Sequence, residues 1–193
     1  MKKIAQLFLV LCLLVVGTQA AFAHANKAEV AEGADLTAVH RIALGAPLYV
    51  QKKDAPSKDE LTQAMADASK VSRSYVIPYA TMVENIKKDA NVDIANLERH
   101  QAAKIFKEHA ADYADAYVIL TVANDSKTVF YFDVYQAGTN KRLYTFTIAK
   151  NRSEDESIGT YQTLSEQFYK NFDRSATAQQ EGKDKPKKEK KGK

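Results

Sequence analysis

Residues 116–123 run Ala116, Tyr117, Val118, Ile119, Leu120, Thr121, Val122, Ala123, apolar almost without a break, and this stretch constrains the fold more than any other. A run this short suits a strand better than a buried helix, and a strand without polar alternation needs cover on both faces. The chain therefore predicts a mid-sheet strand between helices, an α/β arrangement. Two alternating segments follow. In residues 128–136, Phe130, Phe132 and Val134 oppose Tyr131, Asp133 and Tyr135; in residues 142–149, Tyr144, Phe146 and Ile148 oppose Thr145 and Thr147. The connections at 124–127 and 137–141 are rich in Asn, Asp, Ser and Gly, which tolerate turn geometry. The three segments thus form an antiparallel meander.

Upstream, the hydrophobic period changes several times. Residues 41–50 place Ile42, Leu44, Leu48 and Tyr49 around Gly45 and Pro47, a short first strand ending at the proline. Ser57 and Glu60 have capping-box spacing, in which the hydroxyl accepts from a free amide and the carboxylate reaches back. Leu61, Ala64, Met65, Ala68 and Val71 then share one helical face. Residues 74–78 compose a second strand stopped by Pro78, which lacks a ladder amide. Thr81 and Glu84 repeat the capping-box spacing ahead of Ile86, and Asp93 is placed to cap a helix carrying Ile94, Leu97, Ala102, Ile105, Phe106 and Ala110. A closing helix keeps Ile158, Tyr161, Leu164, Phe168, Tyr169 and Phe172 in register. The expected order is β-α-β-α-β-β-β-α: a mixed sheet with an antiparallel C-terminal meander packed by helices, one α/β domain over residues 39–175. Residues 24–38 show no apolar face and read as a flexible leader. Residues 176–193 offer little to bury and read as a disordered, Lys-rich tail.

The ends fix the compartment and the charge. Lys2 and Lys3 precede an apolar run over residues 4–16, and Ala21 and Ala23 place small residues where a signal peptidase reads, so cleavage is expected between Ala23 and His24. The run is shorter than the roughly 20 residues a membrane span needs. The expected product is exported, periplasmic or extracellular in a bacterium, and does not span the membrane after cleavage. Cys12 is the single cysteine and lies inside the signal, so a mature chain without it excludes disulfides, thiolate catalysis and Cys-ligated zinc. Leu11, rather than a small residue, precedes Cys12, which argues against lipid anchoring. Residues 24–180 hold 19 basic and 21 acidic side chains, whereas residues 181–193 hold seven lysines against three acids. The folded body is thus near neutral and gives no basic surface for nucleic acid. Lys183, Lys185, Lys187, Lys188, Lys190, Lys191 and Lys193 are candidate contacts to an anionic envelope polymer or lipid surface.

Residues 41–44 as opening strand, Tyr75, Val76, Ile77 and Pro78 as the second, and the approach Ala114, Asp115, Ala116 to the third carry a resemblance. The order is similar to a group of bacterial envelope domains with an α/β sandwich layout: the amino-terminal domain of TolB, the curli secretion lipoprotein CsgG, and the penicillin-binding-protein activator LpoB. There an Ala-Asp pair often precedes the third strand, and a phrase like residues 133–140 turns the meander. The resemblance spans roughly residues 40–175 and implies fold and compartment. The chain departs from the group in lacking a lipobox cysteine and any pore-forming or propeller segment.

Chemistry-bearing patterns are sparse. His100 and His109 are nine residues apart, which on one helix puts them on opposite faces, and no metal site is expected. His24, at a new amino terminus, offers only weak chelation of Cu(II) or Ni(II). No Gly-rich phosphate loop, His-Glu-x-x-His or Gly-x-Ser-x-Gly occurs. Asp112, Asp115, Asp125 and Asp133 read as turn and edge acids. Tyr131, Tyr135, Tyr144, Tyr161 and Tyr169 read as core-edge residues or as an interaction face. The expectation is a non-enzymatic, cofactor-free envelope protein acting by protein contact, an accessory to surface or outer-membrane assembly. The alternative is a periplasmic binding module for a small ligand or anionic envelope polymer. A shallow apolar or tyrosine face would favour the first, a deep pocket with convergent polar groups the second.

Overall fold

The computed structural model describes residues 24–184. The expected export segment, including Ala23, lies outside them, as do all the tail lysines beyond Lys183. One seven-stranded mixed sheet runs through the molecule in the order β1-β7-β6-β5-β2-β4, with β3 beside β5. The strands are β1 (Asn26–Val30), β2 (Arg41–Leu44), β3 (Leu48–Tyr49), β4 (Tyr75–Ile77), β5 (Ala116–Ala123), β6 (Val129–Gln136) and β7 (Arg142–Ala149). Four α-helices stand among the described residues: α1 (Lys58–Ala68), α2 (Tyr79–Ala90), α3 (Arg99–Tyr113) and α4 (Ile158–Asp184). The α/β class and the C-terminal antiparallel meander are as the sequence predicts.

The sheet has two unlike faces. On one, Leu61 and Met65 of α1 and Tyr161, Leu164, Phe168, Tyr169 and Phe172 of α4 pack against Ile42, Leu44, Val118, Leu120, Phe130, Phe132, Val134, Tyr144, Phe146 and Ile148. These are the alternating apolar positions of the strands, so the period of two in the sequence becomes one continuous aromatic core. Phe168 stacks on Phe132 with ring centroids 4.4 Å apart, and Tyr161 meets Phe130 edge-on at 5.1 Å. Such ring pairs add about 0.5–1.5 kcal/mol each beyond the area they bury. On the other face, Met82 and Ile86 of α2 and Phe106 and Ala110 of α3 bury Ala43, Ile77 and Tyr117, with Ile119 and Tyr135 partly covered beside them.

Helix starts show where local signals win. Ser57 and Glu60 form the predicted capping box on α1, Glu60 N–H donating to Ser57 Oγ at 3.2 Å and Ser57 N–H to Glu60 Oε2 at 2.7 Å. The second predicted box fails. The helix begins two residues before Thr81, because Pro78 ends β4 and sits at the helix N-cap, where its carbonyl accepts the first helical bond from Met82 N–H. Asp93 caps the short 3₁₀ turn Ile94–Asn96 instead of the long helix; extended backbone at Leu97 delays α3 to Arg99.

Three boundaries move. The stretch read as a flexible leader contains β1, paired antiparallel with β7 from Asn26↔Ile148 to Val30↔Tyr144, and the 3₁₀ turn Leu36–Ala38 whose Leu36 is buried. An edge strand exposed along its length has no apolar period to betray it. The stretch read as a disordered tail is helical through Asp184. Its polar side chains bond rather than bury: Gln179 Oε1 accepts from Leu36 N–H at 2.8 Å, Gln179 Nε2 donates to the Ala34 carbonyl, and Lys183 Nζ lies 2.7 Å from Asp35 Oδ2. The first strand splits into β2 and β3 around Gly45.

Candidate interaction groove and open sheet face

The split of the first strand shapes the candidate site. Leu44 pairs with Val118 and Leu48 with Thr121, so residues 45–47 put one extra residue on this strand relative to β5. The result is a bulge of the kind that redirects a strand beside a binding surface. Gly45 N–H donates to the Val118 carbonyl at 2.9 Å. A Cβ there would stand 2.3 Å from Ile119 Cδ1 and 3.2 Å from the Val118 oxygen, so only glycine lets Ile119 lie down over the bulge.

Beyond the bulge the sheet opens into a groove of about 550 Å³. Pro47, Leu48, Tyr79, Leu97, Phe106 and Ile119 give it an apolar floor; Lys58, Glu98, Arg99, His100 and Lys107 stand at the rim. It lies at the carboxyl ends of β2 and β4, whose following helices pack on opposite faces of the sheet, the position where open α/β sheets leave a crevice. Tyr79 leans on Phe106 at 6.2 Å, and burial pushes its hydroxyl above the ordinary pKa.

The groove continues into bare sheet. On β5 the burial alternates after Val118, with Ile119, Thr121 and Ala123 only half-buried, because α2 and α3 stop short. The strand is central, as predicted, but sandwiched only over its first half. Register places Ile119 beside Asp133 and Asp133 beside Thr145; Thr121 beside Tyr131 and Tyr131 beside Thr147; then Lys27 and Glu29 of β1 beside Thr147 and Thr145. Tyr131 is 40% exposed. Tyr135 stacks on Tyr117 at 5.3 Å, and Tyr117 donates its hydroxyl proton to Asn140 Oδ1 at 2.7 Å. Burial raises the Asp133 carboxyl above its usual range, against an opposing pull from Arg142.

The structure separates residues that the sequence grouped. Of five tyrosines, Tyr144, Tyr161 and Tyr169 are buried in the aromatic core, and only Tyr131 and Tyr135 face the open side. Tyr169 donates to the Met65 carbonyl, which locks α4 to α1. Among the acids, Asp115 Oδ2 accepts from the backbone N–H groups of both His40 and Arg41, tying β5 to β2. Asp112 accepts from His109 at 3.0 Å. The histidines do not converge: His100 is at the groove rim, His109 is on Asp112, His40 lines a small cleft of about 170 Å³ with Arg73 and Asp173, and His24 Nε2 lies 2.8 Å from Glu154. Among the described residues no group of three His, Cys, Asp or Glu side chains could hold a metal ion. Lys183, one of the tail lysines, is committed to Asp35, whose carboxyl it holds at about 2. The groove itself escaped the sequence reading. Its signals were Gly45 and Pro47 interrupting an apolar run, and Asp133 in the middle of an aromatic strand.

No protein-family model matches the chain, and no curated protein does. Solved structures do. A PelC dodecamer from Paraburkholderia phytofirmans matches with 8% identity and TM-score 0.46, covering 78% of this chain and 98% of that one. The C-terminal domain of LpoB from Escherichia coli matches with 10% identity and TM-score 0.46, covering 63% and 88%. A DUF4136 family protein from Bacteroides thetaiotaomicron matches with 7% identity and TM-score 0.39, covering 83% and 97%.

Proposed function

We propose that this chain is an exported bacterial envelope domain that works by binding a protein partner rather than by turnover, as an accessory to surface or outer-membrane assembly. The observation that carries the reading is the apolar groove, whose Ile119 also begins the half-buried row of the open sheet face. Its floor is hydrocarbon and aromatic ring, its polar groups stand at the rim, and that distribution matches the apolar centre and polar margin of a protein interface. Export rests on the basic and apolar opening of the sequence. No helix among the described residues is long and apolar enough to cross a membrane.

A second reading has its own support: Lys58, Arg99 and Lys107 outnumber Glu98 around the rim, which suits an anionic ligand or envelope polymer, and the lysines of residues 185–193 would add to it.

Site-specific photo-cross-linking in the native envelope tests both. Probes at Ala103, on the groove side of α3, and at Tyr131 are expected to give one discrete protein adduct; a probe at Lys170, on the outer side of α4, gives none. Ala103→Glu is expected to abolish the Tyr131 adduct while leaving the unfolding midpoint in place. A polydisperse adduct that added polyanion competes away would favour the polymer reading. Loss of adducts at both positions in a folded protein would overturn contact through this surface.

A further inference from the structure

The sheet has two edges, and they are not alike. At β4 the edge is three residues long and ends at Pro78. At β1 it is five residues long, free of proline and glycine, and exposed throughout. An edge of that kind offers a row of unused backbone groups to another strand.

The β1 register says which groups those are. Ala149 N–H donates to the Ala25 carbonyl and Ala31 N–H to the Leu143 carbonyl, so residues 25, 27, 29 and 31 turn their backbone groups inward to β7. Antiparallel ladders alternate, so the N–H and C=O groups of Asn26, Ala28 and Val30 point outward. Lys27 and Glu29 carry their side chains on the open face, 3.6 Å apart, while Asn26, Ala28 and Val30 carry theirs on the α4 side.

We infer that β1 pairs antiparallel with the β1 strand of a second copy of this chain, about a two-fold axis at Ala28. In that register Asn26 meets the second copy's Val30, Ala28 meets Ala28, and every outward donor finds an outward acceptor. Lys27 then stands opposite Glu29 of the other copy, twice. Sliding by one step to centre on residue 27 or on residue 29 sets Lys27 against Lys27 or Glu29 against Glu29 and loses hydrogen bonds as well. Backbone overlap and charge therefore select the same register, the self-complementary one that a two-fold interface requires. The product is one continuous sheet of two seven-stranded halves. The paired edge is small beside a standard interface of roughly 800 Å² per partner, so association is weak and depends on concentration. The inference does not depend on the groove having a partner.

Sedimentation equilibrium of the protein isolated after export, over a wide concentration range, is expected to show the mass rising toward twice that of one chain. Amide exchange gives a second readout: Asn26, Ala28 and Val30 gain protection with concentration, whereas Lys27 and Glu29 are protected throughout. Lys27→Glu is expected to raise the dissociation constant about tenfold or more, since two attractive pairs become repulsive. The double variant Lys27→Glu with Glu29→Lys restores dimerisation, because the opposed charges are regenerated with reversed sign. Ala28→Pro removes the central outward donor without touching an inward one, and is expected to abolish the dimer in a folded protein. A chain that stays monomeric, a dimer indifferent to Lys27→Glu, failure of the double variant to restore it, or protection of the outward amides only when a foreign protein is added would each overturn the inference.

Discussion

The two faces of the sheet use the same strands to opposite ends. Phe132 and Tyr131 are consecutive on β6, yet Phe132 is 1% exposed beneath Phe168 and Tyr131 is 40% exposed. On the α1 and α4 side the alternate positions of β2, β5, β6 and β7 are sealed by aliphatic and aromatic packing. On the α2 and α3 side the helices cover the parallel strands and leave the meander half-buried, with Tyr131 exposed. One face supplies the stability that a chain without disulfides must find in its core. The other keeps apolar floor and polar rim available for contact.

The contrast can be broken or sharpened by substitution. Phe132→Ala is expected to cost about 3–5 kcal/mol in denaturant unfolding, since it removes the ring at the centre of the aromatic stack; a small cost would mean the sealed face is not where stability resides. Gly45→Ala, at the junction of the faces, is expected to cost about 1–3 kcal/mol because Ile119 must be displaced. Ile119→Ala in the same chain recovers part of that loss, and a double-mutant cycle reads the coupling.

Two carboxylates should respond to pH with opposite sign. Burial pushes Glu156 upward, but hydrogen bonds from Tyr161 and Thr128 and the Lys150 ammonium outweigh it and leave the group below its ordinary 4.5. Its contribution is therefore complete above that value and is lost as pH falls through the lower, folded-state pKa. Glu156→Gln is expected to cost about 1–2 kcal/mol at neutral pH and to flatten the acid limb of the stability profile. Asp133, on the open face, is held above its ordinary 3.8 by burial. Its folded form retains the proton longer, so stability declines as pH rises through that range, and Asp133→Asn is expected to stabilise at neutral pH by no more than about 0.5 kcal/mol. Tyr131→Ala should change stability least, within about 0.5 kcal/mol, while weakening cross-linking from the groove. A large loss would show that this tyrosine is structural.

What the sequence made legible follows from where one side of an element is buried. The alternation of β6 and β7, the α4 face from Tyr161 to Phe172 and the Ser57 capping box all stand as read, because each repeats a local pattern against one core. β1 was illegible for the converse reason, being bare on both sides and held only by pairing to residues more than a hundred positions away. Composition alone makes the last turns of α4 look like tail. Gln179 and Lys183 are ordered by bonds to residues 34–37, distant in sequence and invisible to a local window. Of the candidate site, Gly45, Pro47 and Asp133 were visible as irregularities, but nothing in their neighbourhood said that they would share a surface with Phe106 or Tyr79.

By itself the sequence determined the fold class, the central place of residues 116–123 and the alternating apolar face of the meander, since hydrophobic period is a local property and burial selects it. Only the tertiary structure decided that the helices of one layer fall short, that the first strand breaks into a groove and that an unpatterned segment becomes the edge. These depend on lengths and pairings between distant parts of the chain, and no local period encodes them.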